Sequence, residues 1–456
     1  MSNLENFISK RDTYPLFIYN GYEIEESETE IFIKYDFDIV GLSHFNPTWT
    51  FKKENDFIIK GIDSEFFNNL VFNLGMVELV SYWKLTCSPK VEIRCAYLDE
   101  TQIEWWKKLY LNGLGEFLYT NGIYEYLAKN STELMQIECS SKYFYAATTL
   151  NNDFTGNLIP VGGGKDSVVT LELLKDYKES NTCYIVNPRG ASTSTAKIAG
   201  YEKLYAPKRT LDKNMLDLNK QGFLNGHTPF SAILAFSSYI AAVILNKKYI
   251  VLSNESSANE PNVEGTNINH QYSKSLEFEN DFRFYCKNYL CKNGPEYFSL
   301  LRPWSEWRIV KEFVKYNKYF KDFKSCNAGS KQDIWCESCP KCLYVYIMLS
   351  AFLNKDEISK IFSSNMLDNE NLKGIFEGLI NSDKDKPFEC VGTKEEINLC
   401  INMFLRKNDC NSVPKLLMGY TRMAEGEFKT LLSSYIDKFD TNNNVPKEFV
   451  KLLKEV

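Results

Sequence analysis

Leu158-Ile159-Pro160-Val161-Gly162-Gly163-Gly164-Lys165-Asp166-Ser167-Val168-Val169 runs from an apolar stretch, through three consecutive glycines, into a segment with helical periodicity. An apolar run stopped by glycines reads as a buried strand, and its sequel as a helix. Glycines let successive backbone N–H groups converge on one point, and the amino end of a helix adds partial positive charge, so this corner is expected to cradle a phosphate. It is not a Walker P-loop, which needs Gly where Ile159 stands and Ser or Thr where Asp166 stands. A turn that served packing alone would not require Lys165, Asp166 and Ser167 at the helix start.

Outward from this corner, short apolar runs alternate with helical stretches. Strands are expected at Leu158 to Val161, Cys183 to Val186, Leu204 to Ala206 and Tyr249 to Ser253. Helices are expected near Asp166 to Tyr177, near Thr193 to Tyr201 and from Phe230 onward. Such alternation predicts an α/β fold with a parallel sheet and right-handed crossovers, its ligands lying at the carboxyl ends of the strands. Upstream, β-rich runs at Thr29 to Tyr35, Phe57 to Ile62 and Lys90 to Tyr97 accompany a helix-like stretch at Phe66 to Tyr82, which predicts an α/β or α+β domain. Polar, turn-rich Asn151 to Asn157 marks its end. Past Phe352, helix-forming segments are separated by Asp, Asn, Gly and Pro. Three domains are therefore expected: 1–150, with substrate recognition as its candidate role; 151–355, binding nucleotide and carrying catalysis; and 356–456, a helical accessory region.

The 456 residues suffice for two or three domains with large cores. A hydrophobic content of 44% with 25% charged residues speaks against global disorder. With 53 basic and 59 acidic side chains, the net charge of −6 offers no footprint for nucleic acid or an anionic membrane surface. The longest apolar run, Phe230 to Leu245, has 16 residues and is interrupted by serines. That is short of the roughly 18 expected of a membrane span, so it reads as a buried core helix. Met1 to Asp12 lacks the apolar centre of a secretory signal. The 13 cysteines are odd in number, so reduced thiols and a cytoplasmic location are expected.

Four of those cysteines are close together: Cys326, Cys336, Cys339 and Cys342, with Gly329 and Pro340 permitting the turns of a tetrahedral wrap. Four thiolates suit a closed, structural zinc site. An iron–sulfur cluster is the rival reading. Two of the three histidines lie in polar segments of the central region. His227, just before the Phe230 helix, is a candidate proton carrier or a hydrogen-bonded structural histidine. His270 lies beyond the polar loop Asn254 to Gly265, at whose base Glu255 is the carboxylate best placed to reach a cleft. Asn187-Pro188-Arg189-Gly190 follows the second strand, and Arg189 is a candidate clamp for a substrate carboxylate or phosphate, or else a cap on a neighbouring helix.

The glycine corner resembles the PP-loop (Ser-Gly-Gly-x-Asp-Ser) of the ATP pyrophosphatases, which cleave ATP between its α and β phosphates to adenylate a substrate. Gly162 stands where that family usually has Ser, so one hydroxyl donor is missing and Lys165 is expected to compensate. The resemblance implies an adenine nucleotide alpha hydrolase-like parallel sheet. It also implies that the amides of Gly162, Gly163 and Gly164 and the Ser167 hydroxyl bind the pyrophosphate half of ATP, with Asp166 beside magnesium-bound phosphates and Asn187 flanking the adenine. Arg302, in Arg302-Pro303-Trp304-Ser305-Glu306, and more weakly Lys311, resemble the later basic segment that approaches the phosphates. The cysteine cluster, following such a domain, is similar to the zinc-binding end of the 7-cyano-7-deazaguanine synthases.

Four blocks together are more specific: Pro-Val-Gly-Gly-Gly-Lys-Asp-Ser at 160–167, Asn-Gly-His-Thr-Pro-Phe-Ser at 225–231, Ser-Asn-Glu-x-Ser-Ala-Asn at 253–259 and Trp-Cys-x-x-Cys-Pro-Lys-Cys at 335–342. They resemble the ATP-dependent UDP-N-acetylmuramoyl-L-alanyl-L-glutamate epimerases, the MurL family, over roughly residues 150–352. The resemblance implies inversion of the terminal L-Glu of UDP-MurNAc-L-Ala-L-Glu to D-Glu for peptidoglycan precursor synthesis. ATP would adenylate the terminal carboxylate, acidify the adjacent Cα–H, and leave as AMP and pyrophosphate. ATP, Mg²⁺ and structural Zn²⁺ are the implied cofactors; Asp166, His227, Glu255 and His270 are the catalytic candidates. Another adenylating PP-loop enzyme, amide-forming or deazaguanine synthase-like, and a non-catalytic nucleotide-binding module are the alternatives.

Overall fold

The computed structural model describes residues 2–53, 64–151, 153–408 and 413–455. The run expected at Phe57 to Ile62 lies outside the described residues. The chain forms two compact units: residues 1–158, 205–250 and 268–297 make the first, and residues 159–204, 251–267 and 298–456 the second.

The first unit holds a seven-stranded mixed sheet with strands β1 (Leu16–Glu26), β2 (Glu30–Ile39), β3 (Ser43–Phe45), β4 (Thr48–Lys52), β5 (Lys90–Ile93), β6 (Gln136–Cys139) and β10 (Lys208–Thr210). The order is β10-β4-β2-β1-β5-β6, with β3 also on β2. β1 pairs antiparallel with β2 and parallel with β5. Along β2, Ile31, Ile33, Tyr35, Phe37 and Ile39 are buried while the residues between them are not, the two-residue period of a sheet with one face on a core. That core is formed by the helix Ser64–Trp83, which is apolar around its circumference and accordingly almost wholly buried. The expected core helix is also found, spanning Phe230–Ile244, and packs against it.

The glycine corner belongs to a second sheet of five strands, ordered β12-β11-β7-β8-β9. These are β7 (Asn157–Pro160), β8 (Asn181–Tyr184), β9 (Leu204–Tyr205), β11 (Tyr249–Leu252) and β12 (Glu296–Ser299). β7, β8 and β11 are buried at every residue, as expected of strands covered on both faces. β11 pairs with β7 in parallel, Tyr249 opposite Asn157. The fold is thus mixed α/β with a parallel-rich sheet. Two expected elements are shorter: the helix after the glycines spans Lys165–Leu173 and gives way to a 3₁₀ segment at Lys175–Ser180, and the run from Lys90 is a strand only to Ile93. Beyond Phe352 the described elements are all helical. No described helix is long and apolar enough to cross a membrane.

Candidate active site

In the second unit, β7 delivers the chain to Gly162, Gly163 and Gly164, and the helix Lys165–Leu173 starts at once with Gly164 as a cap that has no side-chain hydrogen bond. Gly163 is required by its backbone: φ is +84°, and a Cβ there would lie 2.5 Å from the Ser192 nitrogen. A Cβ on Gly162 would meet nothing within 4 Å. The Ser167 hydroxyl secures the turn from inside, accepting from the Gly163 N–H at 3.1 Å and donating to the Gly164 carbonyl at 2.9 Å.

Lys165 is buried with its ammonium between the carboxylates of Asp166 and Glu306. Asp166, Glu255 and Glu306 each offer an oxygen within 4.8 Å of the others. Burial opposes charge on Lys165, but the attraction of Asp166, Glu306 and Glu255 outweighs it and raises the lysine pKa. Glu306 is lifted above the usual carboxylate range, first by burial; Lys165 opposes that rise while Asp166 and Glu255 add to it. Arg302, fully buried, donates to the Glu255 carbonyl at 2.6 Å and to the Ser299 hydroxyl at 3.3 Å, so it fixes the base of the 254–265 loop. Lys311 lies over the Trp307 ring, 5.2 Å from its centroid. Asn187, at φ +50°, and Arg189 are exposed beyond β8. Arg189 precedes the helix Gly190–Ile198 without capping it by its side chain. That helix end is instead met by Asp333, whose carboxylate accepts the Ala191 N–H at 2.9 Å.

Cys326, Cys336, Cys339 and Cys342 converge, with Sγ separations of 3.8 Å (Cys326–Cys339), 3.7 Å (Cys336–Cys342) and 3.4 Å (Cys339–Cys342). Zinc–thiolate bonds of about 2.3 Å in a tetrahedron place sulfurs about 3.8 Å apart, so the four thiols fit one such ion. The hydrogen bond between the thiols of Cys339 and Cys342 pulls Cys339 down to about 5 and raises Cys342 in turn.

In the first unit the two histidines meet. Their ring centroids are 4.4 Å apart, and both Nδ1 atoms face the Glu116 Oε2, His270 at 2.5 Å and His227 at 3.4 Å. Burial, then His270, Lys84 and Lys274, push His227 down to about 3. Lys84, itself pushed down to about 8 chiefly by burial, donates to the Gly226 carbonyl and the Thr228 hydroxyl at 2.6 and 2.7 Å.

Sequence reasoning names neither Glu116, Lys84 nor Asp333. It quotes Glu306 only as a neighbour of Arg302, although a carboxylate opening a Ser305-capped helix beside a basic residue was a usable signal. Glu116, 154 positions from His270, carries no local signal.

The comparisons with known proteins agree with one another. The MurL N-terminal domain matches residues 8–300 and the MurL C-terminal domain residues 317–429. The chain is 32% identical to the UDP-N-acetyl-alpha-D-muramoyl-L-alanyl-L-glutamate epimerase of Salinispora tropica, over 80% of this chain and 79% of that protein. It is 30% identical to the protein of that name from a Micromonospora species, over 84% and 85% of the two chains. To the Xanthomonas oryzae protein so named it is 32% identical, over 71% of each. Matches of this extent and consistency show that the chain belongs to the MurL family of epimerases.

Proposed function

We propose that this enzyme inverts the terminal L-Glu of UDP-MurNAc-L-Ala-L-Glu to D-Glu through an acyl-adenylate, releasing AMP and pyrophosphate. The reading rests on the names of its relatives and, for the ATP step, on one observation: a glycine turn at the end of a buried strand opens a helix exactly where three carboxylates and a buried lysine converge. Direct removal of a proton beside a carboxylate would place a carbanion next to a negative charge. Attack of that carboxylate oxygen on the α-phosphorus, with loss of pyrophosphate, removes the charge and acidifies the Cα–H. Deprotonation on one face, reprotonation on the other, and hydrolysis of the mixed anhydride complete the cycle.

In this reading the amides of Gly162, Gly163 and Gly164 bind the pyrophosphate half of ATP, with Ser167 holding them in register. Asn187 flanks the adenine, and the exposed Arg189 meets a substrate anion. Arg302 supplies a buried positive charge behind Glu255. Asp166, Glu255 and Glu306 form an all-oxygen set suited to magnesium, which when bound offsets the charge of the phosphate oxygens. Lys165 balances the same carboxylates. The four cysteines hold zinc as a structural ion, since sulfurs this close suit one metal atom better than a cluster with a separate iron for each thiolate. His227, His270 and Glu255 are the proton-transfer candidates. A nucleotide-linked precursor as substrate suits a cytoplasmic enzyme.

The test is incubation with ATP, Mg²⁺ and UDP-MurNAc-L-Ala-L-Glu, followed by acid hydrolysis, resolution of L- from D-glutamate, and assay of AMP and pyrophosphate. D-Glu formed together with AMP and pyrophosphate supports the reading. ADP with orthophosphate, or inversion without ATP, overturns it.

A further inference from the structure

Gly164 caps the helix Lys165–Leu173 without a side chain, so it offers no hydroxyl beside the first amides of that helix. The space in which a capping side chain would begin is bordered by another part of the second unit. A Cβ on Gly164 would lie 3.3 Å from the Ser325 Cβ and 3.8 Å from the Lys324 carbonyl oxygen. The backbone fixes this approach, since the Lys324 N–H donates to the Gly163 carbonyl at 2.9 Å. Ser325 therefore stands at the mouth of the helix, where the side chain of a serine cap would start.

The other polar side chains of the turn are already engaged. The Ser167 hydroxyl bonds the Gly163 N–H and the Gly164 carbonyl, and the Lys165 ammonium is held by Asp166 and Glu306. Ser325 differs, because its Oγ is buried and meets no hydrogen-bond partner among the described residues. A hydroxyl that has given up water and gained no partner is uncommon in a folded protein, and at the mouth of a helix it points to an acceptor that arrives from outside. The residue as a whole is half-buried, and rotation between the staggered wells of χ1 can present the hydroxyl to that acceptor.

We propose that Ser325 is a nucleotide-binding residue whose hydroxyl donates to an oxygen in the pyrophosphate half of ATP, in place of the side chain that the glycine turn lacks. This rests on the adenylation reading above and adds to it a donor from the chain leading into Cys326. The hydroxyl loses its water when the protein folds and not when ATP binds, so the bond it makes to the nucleotide is preorganised. When the substrate carboxylate attacks the α-phosphorus, the bond to the bridging oxygen breaks and its electron pair stays on pyrophosphate. The donor then faces a group of increased negative charge, to which its hydrogen bond is stronger. Because Ser325 directly precedes Cys326, the fold of the cysteine loop sets the position of this donor.

The experiment uses the full-length enzyme and Ser325→Ala, with zinc content measured in both by inductively coupled plasma analysis. Titration calorimetry is carried out with AMP, with magnesium pyrophosphate and with magnesium ATP, alongside melting curves of the free proteins. The expected result is affinity for pyrophosphate and for ATP weakened by about 10-fold or more, AMP affinity within about 2-fold of the parent, and zinc content unchanged. The Tm of the free variant should equal or exceed that of the parent, because the hydroxyl removed was unpaired. A serine kept for packing alone would leave all three affinities unchanged, and that result overturns the proposal. Equal weakening for AMP and pyrophosphate also overturns it, as does weakening accompanied by loss of zinc, which assigns the effect to the cysteine loop. Should the parent form no AMP and pyrophosphate from ATP, the adenylation reading fails by itself, and the pyrophosphate titrations still decide the Ser325 assignment. A parent with no affinity for pyrophosphate overturns both.

Discussion

The Gly163 carbonyl accepts the backbone N–H of Lys324 at 2.9 Å, so the glycine turn is tied to the chain that leads directly into Cys326. A second contact reinforces it: a Cβ on Gly164 would come within 3.3 Å of the Ser325 side chain. Asp333, inside the cysteine loop, holds the Gly190–Ile198 helix, against whose first turn Gly163 is packed. The cysteine loop thus braces the turn from two sides.

Cys339→Ser should therefore do more than lose metal. We expect loss of bound zinc, a fall in Tm of roughly 5–10 °C, and ATP binding weakened by about 10-fold. Inductively coupled plasma analysis, calorimetric melting and titration calorimetry check these in turn. Parent-like ATP affinity in a metal-free variant would show that the turn holds its shape without the brace.

The three glycines should differ in tolerance. Gly163→Ala forces a side chain into a left-handed backbone and onto the Ser192 amide, and should cost about 1–3 kcal/mol. Gly162→Ser enters open space and should change stability by no more than about 0.5 kcal/mol. Urea unfolding of the two variants is the measurement, and equal losses would contradict the backbone described here.

Asp166→Ala and Ser167→Ala should abolish pyrophosphate release and leave the circular dichroism spectrum intact. Lys165→Met should behave differently, because it strands the Asp166, Glu255 and Glu306 carboxylates around an uncompensated cavity. A loss of about 3–5 kcal/mol is expected on unfolding. Full turnover in Asp166→Ala or Ser167→Ala would remove the glycine corner from the reaction.

Glu306 gives a pH signature. Burial raises its pKa in the folded chain to about 7 from the ordinary 4.5, so the folded state binds the extra proton between those values. Its contribution is complete below about pH 4.5 and is lost as pH rises through 7. Glu306→Gln, which mimics the protonated form, should flatten that decline. His227 has the opposite sign: its lowered pKa contributes stability above about pH 6.5 that is lost as pH falls toward 3. Unfolding free energies of parent, Glu306→Gln and His227→Gln from pH 4 to 8 separate the two, and parallel curves for all three would refute both assignments.

What the sequence alone determined is local. The turn at Gly162 to Gly164, the buried strands beside it, the apolar helix at Phe230 and the cysteine spacing are each written in neighbouring residues, where periodicity and backbone freedom act directly. Only the tertiary structure decided which distant segments meet. Lys208–Thr210 pairs with Thr48–Lys52 and completes the first sheet, and the Phe230–Ile244 helix packs on Ser64–Trp83, so removing the first 150 residues would also strip partners from those later elements. For the same reason the role of the amino-terminal segment is better probed by point substitution than by deletion. Glu116 reaches the histidines, and Lys165 reaches Glu306, only because strands and helices far apart in the chain are packed together. The approach of such groups depends on the path of the whole backbone and on the burial it enforces, neither of which leaves a trace in the residues on either side.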